Sequence, residues 1–256
     1  MSQALPLILS IDCSDRACSV ALGNHRVKSD DPEHFIIEEF TDEPRQHAKK
    51  LLPMYRQLLQ RSGRQQEEIS AVAVASGPGS FTGLRIGFSF AQGLSFALSV
   101  PLVQVSSLEA LALSNIDQLN GDRIKHIQVC LDARMGELYV ASFGFNNGAV
   151  EREYEDALIG VDDFNLSADY SSTALLGSGF ALEQLSALHC AFETSDVCIH
   201  ASAVHEIAMN RSLNGKTTEA IVAEPAYLRR EDAWKTVEQQ RQAASIKLKM
   251  VNAPND

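Results

Sequence analysis

Short apolar or alternating runs open the chain. Residues 7–12 (LILSID), 17–23 (ACSVALG) and 34–40 (HFIIEEF) are separated by polar breaks, the pattern of consecutive strands in a meander. From 45 to 63 the period changes: Leu51, Leu52, Tyr55, Leu58 and Leu59 recur at helical spacing, and Ser62 with Gly63 stops the run. Pro53 must sit near the first turn of that helix or kink it. A continuous apolar run, AVAVA at 71–75, predicts a buried strand, SFTGLRIGFSFAQGLSFAL at 80–98 a second helix, and LVQVS at 102–106 another strand. Strands alternating with helices imply right-handed crossovers and a mainly parallel sheet packed by helices.

The pattern then restarts. HIQVCLDARMGELYVASFGF at 126–145 predicts two strands around a tight turn, and it overlays ILSIDCSDRACSVALGN with Asp12, Val20 and Ala21 on Asp132, Val140 and Ala141. A third run near 150–158, a strand at 173–177 (TALLG), an SG turn, a helical segment after Phe180 and a strand at 196–201 (DVCIHA) follow. Such a repeat points to internal duplication and two related α/β halves. Residues 231–256 are polar and are expected to be helical before a frayed tail.

Composition narrows the function classes. The 256 residues carry 22 Lys and Arg against 33 Asp and Glu, a net charge of -11, with the two signs mixed and no basic stripe to track a phosphate backbone. Direct binding of nucleic acid by this chain is therefore not expected. The five cysteines form no CxxC pair and mostly lie in apolar runs, which suits a reducing cytoplasm. The amino-terminal run lacks a basic n-region and a small-residue cleavage site, so it is expected to be a strand rather than a signal peptide. From Ile86 to Leu108 no residue is charged, but Gln92, Pro101, Gln104 and several serines interrupt the stretch; a buried helix and strand are expected there, not a membrane span.

Asp12 ends the first strand. It either aims its carboxylate, with nearby backbone N–H groups, at a ligand between the halves, or caps its own turn by bonding to backbone two residues on. The stretch SGPGSFTGLRIG at 76–87 lacks the GKS or GKT of a Walker loop, and Thr82 stands where GxGxxG needs its last glycine. It offers N–H groups at a helix N-terminus to an anion, with Ser80 or Thr82 as N-cap. Alternatively, Gly77 and Gly79 permit unusual backbone around Pro78 while Gly83 and Gly87 let the helix approach its sheet. At about 100° per residue, Gly83, Gly87, Phe90, Leu94 and Ala97 gather on one side and are expected to face the sheet. Opposite them stand Phe81, Arg85, Phe88, Gln92, Ser95, Phe96 and Ser99, aromatic and short polar groups of the kind enriched at partner interfaces. The alternative is burial of that face under the second half of the same chain. No metal site is expected, because the seven histidines are scattered and no HExxH occurs; His47 reads as a solvated or capping residue. GPGSF is not the GxSxG elbow, so no nucleophile is expected there.

ILSIDCSDRACSVAL, SGPGSFTGLRIGFSFAQGLSFALSVPLVQVSSLEALA, LDARMGELYVASF and AEPAYLRREDAWK resemble the TsaB family, formerly YeaZ, over most of the chain and in the right order; 146–218 is not distinctive. The resemblance implies an α/β actin-like (ASKHA) fold of two duplicated halves, each a mixed sheet flanked by helices, at 1–105 and 106–256, with the last helix packing back on the first half. It implies a cytoplasmic, noncatalytic partner of TsaD, the subunit that transfers threonylcarbamoyl to N6 of adenosine 37 of tRNA, with the ATPase TsaE joining through the complex. TsaD-like sequences carry V-N-H-x-E-G-H; here VSSLEAL puts Ser107 and Leu111 where the two metal-binding histidines would stand. No catalytic residue, cofactor site or metal site is therefore expected. GSG at 177–179 resembles a remnant of the adenosine-binding turn, and Cys13 stands where a threonine is usual. The family's partner surface uses the first two helices, which places Leu51, Tyr55, Leu58, Phe81, Arg85, Phe88, Gln92 and Phe96 as interface candidates. The same helices are expected to pair two copies when no partner is present. The alternative function is an ATP- or metal-dependent enzyme of the same fold, kinase or glycoprotease-like.

Overall fold

The computed structural model describes residues 6–25, 34–119, 123–146, 148–165, 170–185, 188 and 190–229. The expected meander forms as β1 (Ile8–Asp12), β2 (Cys18–Gly23) and β3 (Ile36–Thr41), each antiparallel to the next. α1 (His47–Ser62) leads to β4 (Ala71–Gly77), and α2 (Phe81–Leu98) to β5 (Leu102–Ser106). β4 runs parallel to β1 and β5 parallel to β4, so the first sheet has the order β3-β2-β1-β4-β5. Gly63 ends α1 in the left-handed conformation at φ 68°, the backbone a glycine adopts without steric cost.

The second sheet repeats the first in order and sense. β6 (His126–Arg134), β7 (Glu137–Asn146), β8 (Ala149–Gly160), β9 (Thr173–Leu176) and β10 (Phe192–Thr194) lie as β8-β7-β6-β9-β10, antiparallel on one side of β6 and parallel on the other. The duplication is therefore real as topology. The residue overlay drawn from sequence slips by one: Asp12 pairs with Ser19, seven residues on, whereas Asp132 pairs with Leu138, six on. Residues 13–17 turn the first hairpin, but Met135 and Gly136 alone, both at positive φ, turn the second.

Two helices that the sequence pattern did not reveal fill the space between the sheets. α3 (Ser107–Ser114) and α4 (Ala201–Leu213) share one apolar cluster with Val103 and Val105 of the first sheet and Ile127, Val129 and Phe143 of the second. α4 is buried round most of its circumference, with Val204, His205, Ala208 and Met209 all inaccessible; its polar row at Ser202, Glu206 and Asn210 is narrow, and the buried His205 blurs the helical period. Side chains of the first sheet satisfy its N-terminus: Ala201 N donates to Ser19 Oγ at 2.8 Å, and Ser202 N donates to Glu38 Oε1 at 3.2 Å. The strand expected at 196–201 is unpaired chain leading into α4, and the short β10 takes the edge position instead. The helical segment expected after Phe180 consists of 3-10 turns at 178–181 and 183–185. These turns cover a smaller cluster on the outer face of the second sheet, around Leu138, Leu175 and Phe180.

α1 and α2 cover the outer face of the first sheet, over Leu9, Ile11, Val72 and Val74. The uncharged stretch from Ile86 divides among α2, β5 and the start of α3, and no helix among the described residues is long and apolar enough to cross a membrane. Residues 227–256 form a unit separate from 1–226; the helix expected at 231–256 lies outside the described residues.

Candidate partner interface

The glycines of 76–87 act through contact. Ser80 caps α2, its Oγ accepting from Gly83 N at 3.3 Å, while Ser80 N donates to the carbonyl of Ser14 at 2.6 Å. A Cβ on Gly79 would stand 2.2 Å from Ser14 O, and one on Gly83 2.0 Å from Cys13 O. Gly77 instead needs its backbone freedom, at φ 117°. The helix N-terminus is thus pressed onto the turn after β1, and the N–H groups of Ser80 and Gly83 are taken by Ser14 O and Ser80 Oγ.

Asp12 caps its own turn, accepting from Ser14 N (3.1 Å) and Ser14 Oγ (2.5 Å) through Oδ1. It is fully buried, and its Oδ2 has no hydrogen-bond partner among the described residues. Burial raises its pKa to about 7 against the lowering effect of the Ser14 bonds. The second half repeats the turn, with Arg134 N donating to Asp132 Oδ1 at 2.8 Å. It repeats the close approach too: a Cβ on Gly177 would meet Cys130 O at 2.3 Å and one on Gly179 would meet Cys130 Sγ at 2.3 Å. The GSG turn at 177–179 is therefore a packing element against β6. His47, expected to be solvated or capping, is neither; its Nε2 lies 3.1 Å from Asp15 O and 3.0 Å from Ala17 O, tethering the start of α1 to the first hairpin.

Helix α2 is rotated relative to the expected facing. Its buried arc runs through Gly83, Leu84, Gly87, Phe88, Ala91 and Ser95 and centres on Ala91, about 80° round the helix from the centre of the expected side. Phe88 is 3% exposed and belongs to the apolar layer over the first sheet, and Ser95 donates to Val100 O, so neither lies on the surface. Tyr55 meets Phe90 edge-on at 6.0 Å in the seam between α1 and α2. Leu51, Tyr55 and Leu58 are likewise buried beneath α1. Gln92 is half-buried and donates to Ala220 O at 2.6 Å, holding the turn at 220–222 against α2. Of the candidates, Phe81, Arg85 and Phe96 stay on the surface. Phe81 is 44% exposed with Arg85 stacked 3.6 Å from its ring centre, and Phe96 is 71% exposed. Sequence reasoning passed over Leu52, 42% exposed on the outward side of α1, and Ile221 and Val222, exposed on the turn that Gln92 holds.

The residues of α3 at the position of a metal site do not suit a metal. Leu111 is fully buried in the apolar core, and Ser107 Oγ accepts from Gly77 N at 3.1 Å. A serine hydroxyl and an alkyl chain supply neither imidazole nor carboxylate donors. Glu109, between them, is engaged by Arg152 (3.1 Å) and Arg211 (2.7 Å).

Two lobes of one topology, with helices on the outer face of the first and a helical layer between them, define an actin-like protein. The family model described as TsaD, tRNA N6-adenosine threonylcarbamoyltransferase, matches residues 40–244. The chain is 34% identical over 239 residues to the tRNA threonylcarbamoyladenosine biosynthesis protein TsaB of Escherichia coli K12, covering 89% of this chain and 96% of that one. It is 30% identical to the protein of the same description in Haemophilus influenzae, over 89% of this chain and 95% of the relative. The solved structure of YeaZ from Pseudomonas aeruginosa superposes with a TM-score of 0.77 at 29% identity, covering 87% of this chain and all of the other. The chain belongs to the TsaB (YeaZ) family.

Proposed function

We propose that this chain is a noncatalytic partner subunit in the biosynthesis of tRNA threonylcarbamoyladenosine. It binds TsaD as a heterodimer in the cytoplasm and supports threonylcarbamoyl transfer to N6 of adenosine 37, with TsaE joining through the complex. The observation that carries the reading is the outward face of α1 and α2, where Leu52, Phe81 and Phe96 are exposed on helices that carry no carboxylate. Exposed aromatic and aliphatic groups among few charges favour a protein partner over water. Absence of catalysis is supported by Ser107 and Leu111, which offer no metal donor set, and by the seating of α2 on Ser14 and Cys13. The docking helices belong to the half formed by 1–105, and in isolation the same face pairs two copies.

Size-exclusion chromatography with TsaD of the same organism tests the proposal. The wild type is expected to co-elute, while the Leu52→Glu/Phe96→Glu variant elutes alone with an unchanged melting temperature. Co-elution of the variant removes the assigned face, and stoichiometric ATP or metal binding by the isolated chain returns the enzyme alternative.

A further inference from the structure

The basic groups of the two docking helices are not distributed like those of the rest of the chain. α1 and α2 contain Lys49, Lys50, Arg56, Arg61 and Arg85, and all 33 acidic residues lie outside them. Lys50 pairs with Glu43 and Arg61 with Glu39, so these two are satisfied within the chain. Lys49 and Arg56 are exposed and have no ion-pair partner among the described residues. With Leu52 they follow i, i+3, i+7 spacing, which stacks them along one side of α1, opposite the buried Leu51, Met54 and Leu58. The outermost row of α1 is therefore cation, exposed leucine, cation.

We infer that TsaD, in the heterodimer, covers α1 with a face carrying carboxylates around an apolar patch, placed to meet Lys49 and Arg56 as Leu52 is buried. This rests on the reading of α1 and α2 as the docking surface, and it adds the partner's chemistry. Charge complementarity selects that occupant. A chain of net charge -11 repels a dense polyanion at long range, and two cations flanking an aliphatic side chain are a poor grip on a phosphate backbone. A folded protein with a few carboxylates at matched positions meets the cations at contact distance and gains orientation and encounter rate from them.

The test measures TsaD affinity of the full chain by calorimetry across a sodium chloride series, for the wild type, Lys49→Glu/Arg56→Glu and a control, Lys125→Glu/Lys216→Glu. The control changes net charge equally at exposed lysines off the helices. Wild-type affinity is expected to fall as salt rises; the helix variant is expected to bind about tenfold weaker or worse at low salt, and the control to bind within about twofold of wild type. Binding that ignores both salt and the helix charges overturns the inference while the docking reading stands. No binding by the wild type overturns the docking reading and the inference with it. If the helix variant keeps full TsaD affinity but abolishes a gel shift of tRNA seen with the isolated wild type, the cations serve RNA and the inference fails.

Discussion

The carbonyl oxygen of Cys13 lies 2.0 Å from where a Cβ on Gly83 would stand. No side chain fits there without moving α2 away from β1, because the obstructing atom is backbone and cannot swing aside. Gly83→Ala is therefore expected to destabilise the protein by about 1–3 kcal/mol, as overpacking does. Gly93 lies on the same helix with nothing within 4 Å of the place a Cβ would take, and Gly93→Ala should stabilise by about 0.5–1 kcal/mol through helix propensity alone. Urea unfolding of the pair checks both, and equal effects of like sign would contradict the seating of α2 on the first hairpin.

Asp12 makes stability depend on pH in an unusual direction. Its carboxyl is raised from 3.8 to about 7 by burial, so the folded state holds a proton that the unfolded state has released. The stability associated with that proton is complete below about pH 4, declines as pH rises towards about 7 and is level above. Asp12→Asn keeps the oxygen that Ser14 donates to and removes the ionisation. The variant is expected to melt higher than the wild type by an amount that grows from pH 4 to pH 7, with a limit of about 4 kcal/mol. His205, buried and lowered to about 4, acts in the opposite sense, losing stability as pH falls from 6.5. Because both proteins contain it, the difference between their melting curves isolates Asp12. A difference that is flat with pH would mean that Asp12 is ionised in the folded protein at neutral pH.

The first half was legible because each device there announces itself in sequence. Alternation marks β2 and β3, the AVAVA run marks β4, and glycine or serine punctuates each helix. In the second half the strands were legible as far as β9, but the short helix α3 was not. Nor was α4, since a helix packed between two sheets buries the polar His205 beside Val204 and Ala208 and leaves only a narrow polar row at Ser202, Glu206 and Asn210. The facing of α2 failed for a related reason. Gly83 and Gly87 do touch the first hairpin, but they form one edge of the contact, and the layer over the sheet is completed by Phe88 and Ala91 on the next arc. Spacing alone identifies which residues share a side; it does not say which side meets the sheet when both carry phenylalanines. Leu52 was visible in sequence as an apolar residue, but its exposure depends on how α1 is rolled against the sheet.

Phe88 and Phe96 should separate folding from docking. Phe88→Ala empties a site that is 3% exposed and is expected to cost about 3–5 kcal/mol in unfolding free energy. Phe96 is 71% exposed, so Phe96→Ala should change stability by no more than about 0.5 kcal/mol while weakening TsaD binding. Chemical denaturation and calorimetry on the same preparations distinguish the two residues. A destabilised Phe96→Ala would place that ring in the core, contrary to its exposure.

Glu109 ties the two helices between the sheets to the second sheet. Its Oε2 accepts from Arg152 of β8 at 3.1 Å and from Arg211 of α4 at 2.7 Å, so one carboxylate links α3 to the second sheet and to the helix between the sheets. Arg152 also has Asp156 at 2.6 Å, and Asp156 receives Ser106 Oγ at 2.6 Å. Arg211 has no second carboxylate among the described residues and is left with the carbonyl of Gln104 if Glu109 is neutralised. These side chains are 21–30% exposed, so water screens the interaction in part and the full cost of a buried unpaired charge does not apply. Glu109→Gln is expected to destabilise by about 1–3 kcal/mol, a range between the exposed and buried limits. If the loss comes from stranding Arg211, adding Arg211→Met should cost little more than Glu109→Gln alone. Fully additive losses in that double-variant cycle would show that the two residues act separately, and the linkage assigned to Glu109 would fail.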